Sequence, residues 1–232
     1  MNVHPDILVH WTDRRWAKKK LTPALRSNYV KRLCDFYQKG LWLTHTEGAT
    51  ETIHGAFHTK TKLRPRPCLC FTELRLSQVT AHIARFGSLG IGFRRQFMLN
   101  RGANPVFYLQ NFDAGVVNTN LAAVAQAAKT DETIQLFTSY MKPMSARRSQ
   151  TKFPEYDQME WRCVDCCIAG TKRRPYPIKN GHPTFTFDPR DVEIIIFPDK
   201  QTRVKALKDK RLQNTFRKHP PMMIDSTELV NL

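Results

Sequence analysis

The stretch "MEWRCVDCCI", Met159 to Ile168, sets one carboxylate, Glu160, beside Trp161 and Arg162 and follows it with cysteines spaced C-x-x-C-C. Read as a metal knuckle, it nucleates a small zinc fold; read as a strand, it belongs to a sheet. A structural zinc site takes four ligands, commonly from two C-x-x-C knuckles turned by Gly or polar residues. Cys163 and Cys166 supply one such spacing, and the chain has no second one. Cys68 and Cys70 have one residue between them, which on a strand puts both on the same face. The neighbours of Cys163–Cys167 follow a β pattern rather than that of turn formers, and a reduced Cys packs as a small hydrophobe. The strand reading is preferred, and no metal is expected. On that strand Glu160 and Arg162 share one face while Trp161 takes the other. Glu160 is then a site carboxylate or a surface Glu paired with a nearby Lys or Arg.

Working outward, "DILVHWT" (Asp6–Thr12) reads as a strand ending in polar residues. "LTPALRSNYVKRLCDFYQKG" reads as a helix, with Thr22 as cap, Pro23 in its first turn and Gly40 as its stop. Leu25, Tyr29, Leu33 and Phe36 form its apolar stripe. "TIHGAFHTK" fits a strand or hairpin arm, and "RPCLCFTEL" (Arg66–Leu74) a strand. "LSQVTAHIARFG" fits a helix capped by Ser77 and stopped by Gly87. "GIGF" and "NPVFYLQ" read as two buried strands joined by the helical piece "RRQFMLNRG", with "GSLGIGF" supplying turn geometry. Residues 118–142 are helical in pattern with a break near "KTDET". "PTFTFD" and "DVEIIIF" read as strands, the second central. A basic helix, "QTRVKALKDKRLQNTF", and a frayed tail after Pro220 close the chain. Helices and strands interleave early and strands dominate later, so the class is α+β.

The chain has 232 residues, 41% of them hydrophobic, with four Trp, fourteen Phe and six Tyr, enough for one globular core. Six cysteines without a secretory-type N-terminus argue for reduced thiols. No run of 18 apolar residues is present, so no membrane partner is expected, and the location is read as cytoplasmic. The formal net charge is +17. Residues 13–32 hold eight Lys and Arg against one Asp, and residues 199–218 hold eight against two. Such a field attracts polyanions, with nucleic acid as the usual partner and an acidic protein as the alternative. Lys18, Lys19 and Lys20 in the first cluster, and Lys205, Lys208, Lys210 and Arg211 in the second, are the candidate contacts.

Taken in order, "HWT" (His10–Thr12), "CLCFTEL" (Cys68–Leu74), "FGSLGIGF" (Phe86–Phe93), "RGANPVFY" (Arg101–Tyr108) and "EWR" (Glu160–Arg162) resemble the AbiGi-type family linked to phage abortive infection and labelled an antitoxin. The resemblance spans roughly residues 10–200, with a longer basic insertion after "HWT" than the family pattern suggests. It implies a phage-defence or toxin–antitoxin role with a toxin or antitoxin partner.

A second resemblance is to ADP-ribosyltransferase-like domains. It implies one domain over residues 1–198, its mixed, mainly antiparallel sheet split around a cleft and flanked by helices, followed by a basic helix and tail over 199–232. It implies NAD as cofactor and transfer to a target on or near nucleic acid. On this resemblance His10 binds the ribose 2′-hydroxyl with Thr12 nearby, and Glu160 grips the nicotinamide ribose, the two acting as the catalytic pair. Phe86 stands where the stacking Tyr usually does, Phe71 lies on the "CFTE" strand converging on the cleft, and Arg14 or Arg85 holds the pyrophosphate. The residue types suit that chemistry: a fixed carboxylate stabilises oxocarbenium character and can accept a proton from the incoming nucleophile. The competing reading is a non-enzymatic antitoxin, or a module binding nucleic acid or a partner through its basic surfaces. A metal-dependent nuclease is disfavoured, since the acidic residues do not cluster.

Overall fold

The computed structural model describes residues 6–12, 14–16, 19–44, 51–54, 60–63, 66–74, 79–111, 123–124, 126–145, 159–165, 176–179 and 181–230. In chain order the elements begin with β1 (Ile7–Thr12), a 3-10 turn (Arg14–Trp16), α1 (Pro23–Lys39), β2 (Leu41–Trp42), β3 (Glu51–His54), β4 (Lys60–Leu63) and β5 (Cys68–Glu73). Next come α2 (Val79–Phe86), β6 (Leu89–Arg94), α3 (Arg95–Asn100), β7 (Asn104–Pro105), β8 (Phe107–Asn111), α4 (Glu132–Thr138) and β9 (Met141–Ser145). Then follow β10 (Glu160–Val164), β11 (Ile178–Lys179), β12 (His182–Phe185), β13 (Val192–Phe197), α5 (Lys200–Lys208), α6 (Lys210–Lys218), β14 (Met222–Asp225) and α7 (Ser226–Val230). The class is α+β, with mixed, mostly antiparallel pairing and flanking helices. The chain divides into two compact units, Met1–Leu41 with Phe71–Arg101 and Thr186–Leu232, and Trp42–Cys70 with Gly102–Phe185. Residues 199–232 belong to the first.

In the first unit the strand order is β14-β13-β6-β1-β5. β1 pairs antiparallel with β6 along its whole length and with the end of β5, through Leu8↔Glu73 and Val9↔Thr72. Strand alternation sends Ile7, Val9 and Trp11 to one face, where they meet Leu74, Val79, Ile194, Ile196 and Ile224, with Ile83 and Phe86 of α2 against them. The opposite face carries His10, whose ring meets Phe36 of α1 and Phe71 edge-on. Helix α1 forms as its sequence dictates: Thr22 accepts from the Leu25 N–H (3.2 Å), Pro23 opens the first turn, and Gly40 at φ 84° ends it. Its apolar stripe of Leu25, Tyr29, Leu33 and Phe36 is buried as expected.

Three expectations change here. "GSLGIGF" is a turn only at Gly87 (φ 120°); Gly90 and Gly92 lie within β6. A Cβ at Gly90 would stand 2.9 Å from Val9, and one at Gly92 would collide with Ile194 and Ile7, so these glycines permit close packing above the strand. The basic C-terminal helix is two helices, because Asp209 turns extended (ψ 119°) and its carboxylate accepts from the Arg211 N–H, capping α6. The tail after Pro220 is not frayed: β14 pairs parallel with β13 from Ile194↔Met222 to Phe197↔Asp225, burying Ile224. β13 is fully flanked by β14 and β6, as its continuous apolar run implies.

In the second unit the first residues of β5 are followed in strand order by β10 and β7. "NPVFYLQ" is not one buried strand. Val106 N–H bonds to Glu160 O and Phe107 N–H to Tyr140 O, so the chain changes partners there: β7 pairs with β10, and β8 runs parallel to β9. Pro105 has no N–H to give and sits exposed on the short β7. The hairpin expected around "TIHGAFHTK" is β3 and β4. The break near "KTDET" is Asp131, which caps α4 by accepting from Thr133 and Ile134 N–H. Ser77 and the start of the 118–142 pattern lie outside the described residues.

Candidate functional site

Glu160 opens β10 directly after Met159, whose φ of 42° turns the chain into the strand. Its backbone N–H donates to the Tyr108 hydroxyl (3.1 Å), which fixes the strand's entry. The residue is 7% exposed and both oxygens are engaged: Oε1 accepts from Arg162 Nε (2.8 Å) and Oε2 from Lys142 Nζ (2.6 Å). Arg162, 4% exposed, spends its Nη1 on the carbonyls of Ser139 (2.7 Å) and Met141 (3.3 Å). Alternation along β10 therefore does place Glu160 and Arg162 together, with the intervening Trp161 also buried. The ion-pair reading held the right partner and missed the burial.

Burial alone pushes the Glu160 carboxyl up, but Arg162 and then Lys142 outweigh it and hold the group at about 2. Burial likewise disfavours charge on Arg162, and Glu160 more than restores it. A general base works best with a pKa near the operating pH. This carboxylate is ionised, doubly bonded and sealed, which is how a structural ion cluster behaves.

The thiols beside it are packing groups. Cys68 and Cys70 share one face of β5, their sulfurs 3.9 Å apart; Cys68 packs with Tyr140 and Val164, with Cys70 and Leu136 against them. The contact with Cys68, then burial, pushes the Cys70 thiol well up. Cys163 is fully buried, and Cys166 and Cys167 lie outside the described residues. Among the described residues no group of three His, Cys, Asp or Glu side chains could hold a metal.

The remaining candidates belong to the first unit, whereas Glu160 belongs to the second. His10 is half-buried at 5.7 Å from Phe71, and Phe71 is itself core, edge-on to Phe93. Thr12 ends β1 opposite Leu89. Arg85 lies over the Phe86 ring (5.6 Å), and Phe86 also meets His82 (5.9 Å). Arg14 lies in the 3-10 turn. Two buried polar groups escaped the sequence reading. Trp11 Nε1–H donates to Thr72 Oγ1 (2.8 Å), tying β1 to β5. His82, fully buried beside Trp11, is pushed down to about 4 by burial and then by Arg85, so it is neutral. The only available signal was the helical spacing of Val79, His82 and Phe86.

Of the basic candidates, Lys19, Lys20, Lys205, Lys208 and Lys210 are exposed, and Lys18 lies outside the described residues. Arg211 is engaged by Asp209 (2.7 Å), so it is not an open cation. Among the described residues no helix is long and apolar enough to cross a membrane.

Fold and site together define an α+β protein with a sealed ion cluster and exposed lysines on its C-terminal helices. Residues 48–198 match the family described as "Putative abortive phage resistance protein AbiGi, antitoxin". With most of its length matched, the chain belongs to that abortive-infection family. No curated protein and no solved structure matches it. The match contains the "CFTE", "GIGF", "NPVFY" and "EWR" motifs, whereas "HWT" precedes it. These findings overturn the NAD-dependent ADP-ribosyltransferase reading: the family matched is described as an antitoxin, and no solved structure ties the sheet to the transferase fold. NAD entered only through that activity.

Proposed function

We propose that this chain is a non-enzymatic antitoxin of an abortive-infection system and acts by binding a protein partner, the toxin. Membership of the antitoxin family over residues 48–198 carries the reading. The state of Glu160 supports it, since a buried carboxylate with one oxygen bonded to buried Arg162 and the other to part-buried Lys142 serves the fold rather than a substrate. The net charge of +17 favours an acidic partner and speeds its capture. The test is co-expression with a candidate toxin, then reconstitution from purified components without nucleotides. Growth is restored, and the two proteins co-elute with the toxin silenced. A toxin that stays active unless a cosubstrate such as NAD is added refutes the proposal.

A further inference from the structure

The two C-terminal helices treat their cations differently. Arg203 on α5 is bound by Asp225 (3.1 Å) and Glu228 (3.4 Å), and Arg211 on α6 by Asp209 (2.7 Å). Asp199, the cap of α5, is held by Arg26 of α1 (2.7 Å). Arg203 and Arg211 are thus neutralised inside the unit. Lys200, Lys205 and Lys208 form no ion pair with a described residue, and all three are exposed.

These lysines surround something unusual for a solvated face. Thr202 and Ala206 are the buried side of α5. At about 100° per residue the opposite side carries Lys200, Val204, Leu207 and Lys208, with Lys205 at its margin. Val204 is 40% exposed and Leu207 44%. A nucleic-acid backbone would pair with the lysines and leave those two apolar side chains without a counterpart. A protein segment carrying acidic residues around an apolar stripe satisfies both.

We infer that the outer face of α5 is a docking surface for an acidic, amphipathic segment of a protein partner, with Val204 and Leu207 as the apolar contact and Lys200, Lys205 and Lys208 as the charged rim. The inference rests on the proposed antitoxin reading and names the surface it uses. All five residues lie beyond the family match at 48–198. Nine residues of helix present about 13 Å of surface, matched by two to three turns of a partner helix.

The test uses the full chain and three probes: an amphipathic peptide of about three heptads with Leu at a and d and Glu elsewhere, poly-glutamate of equal length, and a short DNA duplex. The peptide binds more tightly than poly-glutamate by about tenfold, and added salt weakens it. The double variants V204S/L207S and K205E/K208E each weaken peptide binding by about tenfold while melting like the parent chain. Equal binding of peptide and poly-glutamate, tighter binding of DNA, no peptide binding, or V204S/L207S binding the peptide like the parent overturns the inference. The same variants are then assayed for toxin neutralisation. Variants that neutralise as well as the parent sink the α5 face and leave the antitoxin reading standing; a parent chain that never neutralises sinks the antitoxin reading, and the peptide titration still judges the face.

Discussion

Replacing Glu160 by Gln removes one charge from a buried cluster of three. Arg162 is 4% exposed and cannot rehydrate, whereas the Lys142 side chain, 14% exposed, can reach water in part. Removing one partner of a buried pair costs about 3–5 kcal/mol, and the Gln amide oxygen still accepts one hydrogen bond, which places this variant near 3. Linkage gives the same size: a carboxyl held at about 2 rather than 4.5 contributes about 3 kcal/mol above both values. The sign follows from the depressed folded pKa. The contribution is complete above about 4.5 and disappears as pH falls through about 2. At pH 7 the Glu160→Gln chain therefore melts about 6–12 °C below the parent, and the two melting curves converge as the solution is acidified toward pH 2. Thermal melts by circular dichroism across pH 2–7 measure both effects. A variant within about 2 °C of the parent at neutral pH, or a gap that persists on acidification, refutes the structural assignment. A catalytic carboxylate gives the reverse pattern, since such groups are commonly replaced without loss of stability.

Gly92→Ala drives a methyl group into Ile194 and Ile7 at the middle of the first unit's sheet, and destabilises the chain by about 1–3 kcal/mol, read from denaturant midpoints. A fragment limited to the family-matched residues 48–198 lacks β1, the strand that lies between β6 and β5. It gives a non-cooperative melt and binds a hydrophobic dye, whereas the full chain melts cooperatively.

Much of the secondary structure was legible because local chemistry decided it. The Thr22 cap, Pro23, the apolar stripe and Gly40 define α1 without tertiary help, and the run at Val192–Phe197 could only be a strand buried on both sides. What escaped depended on partners distant in sequence. Nothing local says that Val106 exchanges one strand neighbour for another, or that Met222–Asp225, after two prolines, finds β13. At the site, alternation correctly put Glu160 and Arg162 on one face, and that pairing could be read directly. The burial of the pair could not, because it depends on Lys142 and on the carbonyls of Ser139 and Met141, contributed by a segment some twenty residues away. The transferase reading joined the His10 and Glu160 triplets across 150 positions on residue type alone, and residue type does not distinguish a sealed ion pair from an open one.

The first unit's sheet draws on three separated pieces of the chain, and its parallel edge strand comes from residues 222–225. During synthesis, the second unit's residues are all present once position 185 has left the ribosome. The first unit's β14 is complete only forty residues later, at Asp225, on the order of a few seconds of elongation. Over that interval Ile194 and Ile196 emerge without Met222 and Ile224 beside them, so the nascent chain passes through a stage that is sticky and easily degraded. A ribosome stalled before residue 222 then yields a product in which β13 lacks its parallel neighbour.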